Sequence, residues 1–383
     1  MKKVFFAVFS TAISILCMPG ALSANDHNDA VHVSHGGSES PEHQSHDTHH
    51  KHNHSGPPVP PSMMSDHVHG KGEWMVSYRF MRMEMEGNRD GTDSLSPSEI
   101  SGEVPNRFAG VPGQPATLRI VPTEMTMDMH MLGFMAKITD WATLMIMGNY
   151  IEKEMDHITF SGADPNLELG RFTTSSSGIG DTKLSLLFQP YNEGQHKLVV
   201  KAGLSLPTGS IDEEDTILAP NNMNMRVRLP YAMQLGSGTY DLEPAVTYSG
   251  HSHKFGWGSQ ARAVIRTGRN NEGYTLGDKL SLTGWGSYAF TSTLSSSLGL
   301  TAETEDSIQG IDSEIVGPVQ TADPRNYGGE RVSAEIGFTY TGQNGWMEGH
   351  SLSAGFILPV YQDLNGPQME RDYSFLLGYR KAF

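Results

Sequence analysis

From residue 71 onward, apolar and polar residues alternate with a period of two. Over 197–206, Leu198, Val200, Ala202, Leu204 and Leu206 share one face, and Lys197, Lys201 and Ser205 share the other. Over 331–340, Val332, Ala334, Ile336, Phe338 and Tyr340 oppose Arg331, Ser333, Glu335 and Thr339. Trp257, Ala261, Ala263 and Ile265 oppose Gln260, Arg262 and Arg266 in the same way. A period of two with one apolar face specifies β-strands. Runs of roughly ten such residues, apolar outside and polar inside, specify a transmembrane barrel. The fold class read from this pattern is all-β, an antiparallel transmembrane β-barrel of about 12 strands over 71–383.

The strands are expected at 72–85, 118–137, 141–156, 178–189, 196–206, 239–250, 255–269, 276–290, 294–305, 329–342, 349–361 and 371–383. The stretch 229–235 is left out because Pro230 interrupts it. Connections after odd-numbered strands are mostly long, at 86–117, 157–177, 207–238 and 306–328. Those after even-numbered strands are short, at 138–140, 190–195, 251–254, 291–293 and 343–348. Short periplasmic turns and longer outer loops are the habit of bacterial barrels. Two outer connections, 270–275 and 362–370, are shorter than that habit. Tyr373, Phe375, Leu377 and Tyr379 alternate toward Phe383, as in the C-terminal strand of outer-membrane barrels; Lys381 departs from the pattern. A soluble β-sandwich also alternates, but it explains neither the terminal Phe nor the unequal loops.

Composition narrows the class. Lys plus Arg is 27 against 43 Asp plus Glu, a formal charge of −16. That balance argues against nucleic acid as a partner, which needs basic patches. The single Cys, Cys17, lies in residues 1–24, which read as a signal peptide: Lys2 and Lys3, an apolar run to Met18, and small residues up to Ala24. Leu16 is too bulky for the position before a lipidated Cys. Thiol, Fe–S and cysteine–zinc chemistry are therefore excluded from the mature chain. No later segment approaches the ~18 consecutive apolar residues of a membrane helix.

Residues 25–70 read as a disordered His-rich tail on the periplasmic side. Eleven of the 17 His fall there, among them His43, His46, His49, His50, His52, His54, His67 and His69. Neutral imidazole suits copper, zinc and nickel, so the tail is expected to gather such ions, although the fold itself requires no cofactor. A solvated spacer of biased composition is the plainer reading of the same residues. Methionines recur at spacing two: Met75, Met81, Met83 and Met85, then Met125, Met127, Met129, Met131 and Met135, then Met145 and Met147. Thioethers are soft ligands for Cu(I) or Ag(I), and equally they are flexible hydrophobes. Parity turns Met75, Met81 and Met83 toward the lumen. In the second strand it turns Asp128 and His130 inward and the methionine row toward lipid, unless a bulge resets the register. The remaining expected lumen lining is Arg79, Lys183, Lys201, Glu243, Arg262, Arg266, Arg331 and Glu335.

Ser177-Gly178-Ile179-Gly180-Asp181, Leu206-Pro207-Thr208-Gly209-Ser210 and Gly236-Ser237-Gly238-Thr239-Tyr240-Asp241-Leu242 occur in that order. Together they resemble landmarks of an outer-membrane barrel family linked to the meta-pathway of phenol degradation, many members of which are labelled transporter. Gly72-Glu73-Trp74-Met75 and the stretch from Pro122 to His130 look like a Met-rich, copper-associated branch of it. The resemblance covers about residue 71 to the end and implies an outer-membrane channel. The function expected is transport through the outer membrane in copper or other heavy-metal efflux. Lipid, metal ions or small solutes, and periplasmic metal-handling proteins are its expected partners. The alternative is passage of small hydrophobic or aromatic compounds with no metal role. A twelve-stranded outer-membrane phospholipase would need a Ser paired with a His, and His157 and His350 have no evident partner of that kind. No Gly-x-Ser-x-Gly, His-Glu-x-x-His or phosphate-loop motif occurs, so an enzyme is not expected.

Overall fold

The computed structural model describes residues 59–63, 68, 72–139 and 141–383. The leader and the tail histidines, including His43, His46, His49, His50, His52, His54, His67 and His69, lie outside the described residues.

Strand β1 (Trp74–Gly91) pairs at its far end with β2 (Asp93–Leu95) and leads into helix α1 (Pro97–Glu103). Pro97 opens that helix, and Ser96 and Glu99 form a reciprocal capping box at its start. Next come β3 (Ile120–Lys137), β4 (Ala142–Phe160), β5 (Glu168–Ile179), β6 (Thr182–Glu193) and β7 (His196–Leu206). A long connection carries the hairpin β8 (Glu214–Leu218) and β9 (Asn224–Arg228). It then gives a single 3₁₀ turn at Tyr231–Met233, where Pro230 does prevent a strand. β10 (Asp241–Leu242), β11 (Ala245–Ser252) and β12 (Phe255–Arg266) return to the wall. After β13 (Tyr274–Thr275) follow β14 (Lys279–Ala289), β15 (Leu294–Glu305), β16 (Gln309–Gly310), β17 (Gly329–Thr341) and β18 (His350–Ala382).

The wall runs β12, β11, β7, β6, β4, β3, β1, β18, β17, β15, β14, and β14 pairs β12 to close the ring. Every one of these ladders is antiparallel. The last element, β18, crosses twice. Its first part pairs β17 from Ser351↔Thr341 to Leu364↔Gly329, and its second pairs β1 from Leu364↔Gly91 to Ala382↔Met75. The chain reverses beside Gly366, whose φ of 73° an L side chain rarely adopts. Eleven labelled elements thus give twelve passes, in keeping with the alternation in the sequence.

Closure removes the sheet edges and leaves an apolar exterior. Leu132, Phe134, Ile146, Leu298, Leu300, Ile336, Phe338, Leu358 and Leu377 are all exposed. A continuous outward band of such residues is what a lipid-facing wall requires. Aromatics ring the short-turn end. Trp74 stacks on Phe383 at 3.8 Å, and Trp141 stacks on Phe188 at 5.5 Å. Tyr248 pairs His196 and Tyr379 pairs His350 there, at 2.8 and 2.9 Å, and Tyr78 pairs His130 at 2.8 Å at the far margin of the apolar band. Lys381, the departure from the C-terminal pattern, lies 5.5 Å from the Phe383 ring centroid and donates to the Glu348 carbonyl.

The long-loop end carries its own small core. Tyr231, Tyr274, Ile308, Ile315, Val319 and Ala322 are buried together, with Phe108, Phe172 and Tyr327 packed against them. In this cap burial pushes the Asp323 carboxyl up, but bonds from the Arg325 side chain and backbone and from Arg107 outweigh it and hold the group below the usual aspartate range. A carboxyl depressed in the folded state stabilises above its unfolded pKa, and that stabilisation is lost as pH falls through the folded value. Acidification below the ordinary aspartate range is therefore expected to speed amide exchange in 306–328 before the barrel strands respond. Exchange rising in the strands first would contradict this.

Candidate functional site in the barrel lumen

Residues directly opposite in antiparallel strands share a face, so register alone assigns the lumen wall. Across β1, β3 and β4 the levels read Met75–Met135–Met145, Ser77–Gly133–Met147, Arg79–Met131–Asn149, Met81–Met129–Ile151, Met83–Met127–Lys153 and Met85–Met125–Met155. Met131 is 7% exposed and its neighbour Leu132 is 62% exposed, which puts this set inside. Met75, Met81 and Met83 therefore face the lumen, as parity in the first strand implies. The second strand is a correction. Met125, Met127, Met129, Met131 and Met135 also face inward, and Asp128 and His130 face outward. The reason is height. Above Phe80 the outer face of the wall has left the apolar band, so polar side chains there meet water rather than lipid. Asp128 takes a two-pronged bond from Arg82 at 2.7 and 2.5 Å on that outer face, and His130 lies against Tyr78 and Phe80.

The facing wall is ionic. Glu243 accepts from Lys183 at 2.5 Å, Arg262 at 3.1 Å and Lys201 at 3.4 Å. Arg266 pairs Asp241. A second knot joins Arg331 to Glu303 at 3.9 Å and to Glu305 at 3.6 Å, with Arg371 on Glu303 at 3.3 Å and Lys279 on Glu305 at 3.1 Å. Opposite charges in a narrow space satisfy one another, which leaves little net field along this wall. Sequence reasoning missed Asp241, Glu303, Glu305 and Arg371, whose partners lie on other strands.

Toward the long-loop end the lumen narrows. The 3₁₀ turn folds inward and is held there: Lys153 donates to the carbonyls of Ala232 and Gln234 at 2.8 and 2.6 Å, and Ser176 donates to that of Met233 at 2.6 Å. Met125, Met155, Leu229 and Met233 are buried in one cluster, with Met85 and Met369 packed against it. Five methionine side chains from β1, β3, β4, the turn and β18 thus pack in one cluster where the turn fills the lumen. Met233 and Met369 stand apart from any spacing-two run, so no sequence signal joined them to the ladder. Met223 and Met225, on the β8–β9 hairpin, are exposed.

At the short-turn end the lumen holds residues of the chain itself. Pro60, Pro61 and Met63 are buried, and Met63 N–H donates to the Pro60 carbonyl at 3.0 Å, closing a turn with Pro61 in the second position that proline favours. Ser62 N–H donates to Glu335 Oε1 at 3.0 Å and its hydroxyl to Oε2, and Arg79 Nη2 donates to the Met63 carbonyl at 2.9 Å. Around this turn lies a cavity of about 70 Å³, enough for a few waters, lined in part by Met75, Met131, Met135, Met145, Met147 and Arg380. Among the described residues, no three His, Cys, Asp or Glu converge as a metal would need.

No family model matches the chain, and no curated protein matches it. Among solved structures it is similar to an outer membrane channel from Pseudomonas putida F1, with a TM-score of 0.56 and 14% identity over 85% of this chain and all of that one. The Pseudomonas putida toluene transporter TodX gives a TM-score of 0.40 and 8% identity, over 82% of this chain and 90% of that one. The first likeness establishes the fold, an outer-membrane β-barrel.

Proposed function

We propose that this chain is an outer-membrane channel for small solutes, and that soft metal ions, copper(I) or silver(I), are the solutes its lumen fits best. The observation that carries the reading is the packing of Met85, Met125, Met155, Met233 and Met369 in one cluster where the turn fills the lumen. Thioether sulfur is a soft donor that binds such ions and leaves calcium, magnesium and manganese to oxygen. Met81, Met83, Met127 and Met129 continue the track one and two levels closer to the short turns. In this reading the long loops face outward and the short turns face the periplasm. The histidines of residues 25–70 then gather copper, zinc or nickel, handed on by periplasmic metal-handling proteins, for export. Passage of small apolar or aromatic molecules is the second reading. Arg79 and Arg380 favour it, because two guanidiniums lining the cavity at the short-turn end repel a cation.

Met125→Leu, Met155→Leu and Met233→Leu together test the choice, since each exchange keeps volume and apolar character and removes a sulfur. In proteoliposomes the triple variant is expected to lose most silver flux and, in detergent, about tenfold in silver affinity, a difference near 1.4 kcal/mol. Benzyl alcohol flux should not change. Silver flux equal to that of the parent protein overturns the metal reading in favour of the apolar one.

A further inference from the structure

The segment 59–63 sits in a seat shaped for it. Gly337 faces the lumen opposite Ser297, and a Cβ placed there would come within 2.2 Å of Pro61 Cδ. Its neighbour Gly355 pairs it across β17 and β18, and a Cβ on that residue would lie 3.3 Å from Pro61 Cβ. On β15, Gly299 would place its own 3.5 Å from Pro60 Cγ. Gly337 and Gly355, paired across adjacent passes, hollow out the wall where Pro61 fits, and Gly299, one residue pair along on β15, leaves ordinary contact room for Pro60. Glycine costs strand stability and offers no side chain to pack, so its use here is explained by the close approach it permits. Polar anchoring comes at the second half of the turn, where Ser62 donates to Glu335 and the Met63 carbonyl accepts from Arg79. Prolines lose little freedom on docking, so the ordered segment costs little conformational entropy.

The seat is also of a kind that can empty. The bonds described between 59–63 and the wall pass through the side chains of Glu335 and Arg79, not through a strand ladder, so the barrel's own pairing is intact whether or not the turn is in place. From these observations we propose that Val59–Met63 is an internal stopper, docked in the Gly337–Gly355 hollow, whose departure opens the short-turn end of the lumen. The proposal rests on the channel reading but not on which solute passes. It ties the state of the tail upstream of Val59 to the conductance of the barrel, because a pull on that tail draws on the same five residues.

The full chain in planar bilayers, with potassium chloride as the probe, tests it. Ser62→Asp sets a carboxylate against Glu335 and touches no barrel strand; conductance is expected to rise severalfold. Adding Glu335→Lys should restore the attraction and return conductance to the parent level. Pro61→Cys with Gly355→Cys, in a Cys17→Ser background, places two Cβ atoms at about the separation that a disulfide spans. Oxidation should pin the channel shut and a reductant should release it. A cross-link that forms while all variants conduct like the parent overturns the stopper and leaves the channel reading standing. If the cross-link forms and no variant conducts, the channel reading falls and takes the stopper with it. Failure of the cross-link to form refutes the seat itself.

Discussion

Replacing Glu243 by glutamine is expected to destabilise the barrel more than replacing any one of its cationic partners. The carboxylate is 3% exposed and accepts from three cations on three different elements, Lys183, Lys201 and Arg262. Removing its charge leaves three positive groups facing one another, with Lys201 itself almost fully buried. Breaking a buried pair from the side of the shared partner costs roughly 3–5 kcal/mol. A value near the lower end is expected, because Lys183 and Arg262 keep contact with lumen water. Arg262→Gln leaves Glu243 with two cations and should cost well under half as much. The measurement is the temperature at which the compact, fast-migrating band is lost on a detergent gel. Equal loss temperatures for Glu243→Gln and the parent protein would show that the cluster is solvated and contributes nothing.

The second large effect concerns space. Gly258 faces Trp285 across β12 and β14, and a Cβ on Gly258 would fall 2.3 Å from Trp285 Cζ2 and 2.4 Å from the Tyr248 carbonyl. The indole is a side chain and can turn; the carbonyl belongs to the ladder and cannot. Overpacking of this sort typically costs about 1–3 kcal/mol, and a contact with backbone argues for the upper figure. Gly258→Ala should therefore lower the yield of folded barrel sharply. Gly284→Ala, with nothing within 4 Å of the added atom, should fold like the parent. Trp285→Leu in the Gly258→Ala background is expected to recover only part of the loss. Full recovery would assign the whole conflict to the indole, and no loss in Gly258→Ala would refute the close approach.

The strands were legible because lipid outside and water inside impose a period of two that few other environments impose. That signal weakens where both faces meet water. β5, with Thr173-Thr174-Ser175-Ser176-Ser177 at its centre, pairs the far half of β4 above the apolar band, and no alternation marks it. The same loss of contrast reversed Asp128 and His130: an inside-polar rule was carried past the height at which it holds. The span 362–370 passes for a connection because Asp363, Asn365, Gly366 and Pro367 are turn residues, yet β18 holds its ladders almost to the reversal. Charged lumen positions such as Lys201, Glu243, Arg262 and Arg331 could be named from parity, but their pairing could not, and neither could Glu303, since the partners lie on other strands. The hollow for Pro61 left no trace in the order of residues. A compositional border at residue 70 assigns the prolines to the tail, and only the three-dimensional meeting of Gly337 and Gly355 shows where Pro61 goes.

One sector of the outer wall, just beyond the apolar band, carries a one-sided charge. Along the outward face of β1, β3 and β4 above Phe80 come Glu84, Glu86, Glu124, Asp128, Glu152, Glu154 and Asp156, with Arg82 the counter-charge among them. An anionic collar at that height confronts the phosphates of the surrounding head groups. Like charges at such a boundary repel, so this sector resists close approach of anionic head groups while the uncharged apolar band below it accepts acyl chains.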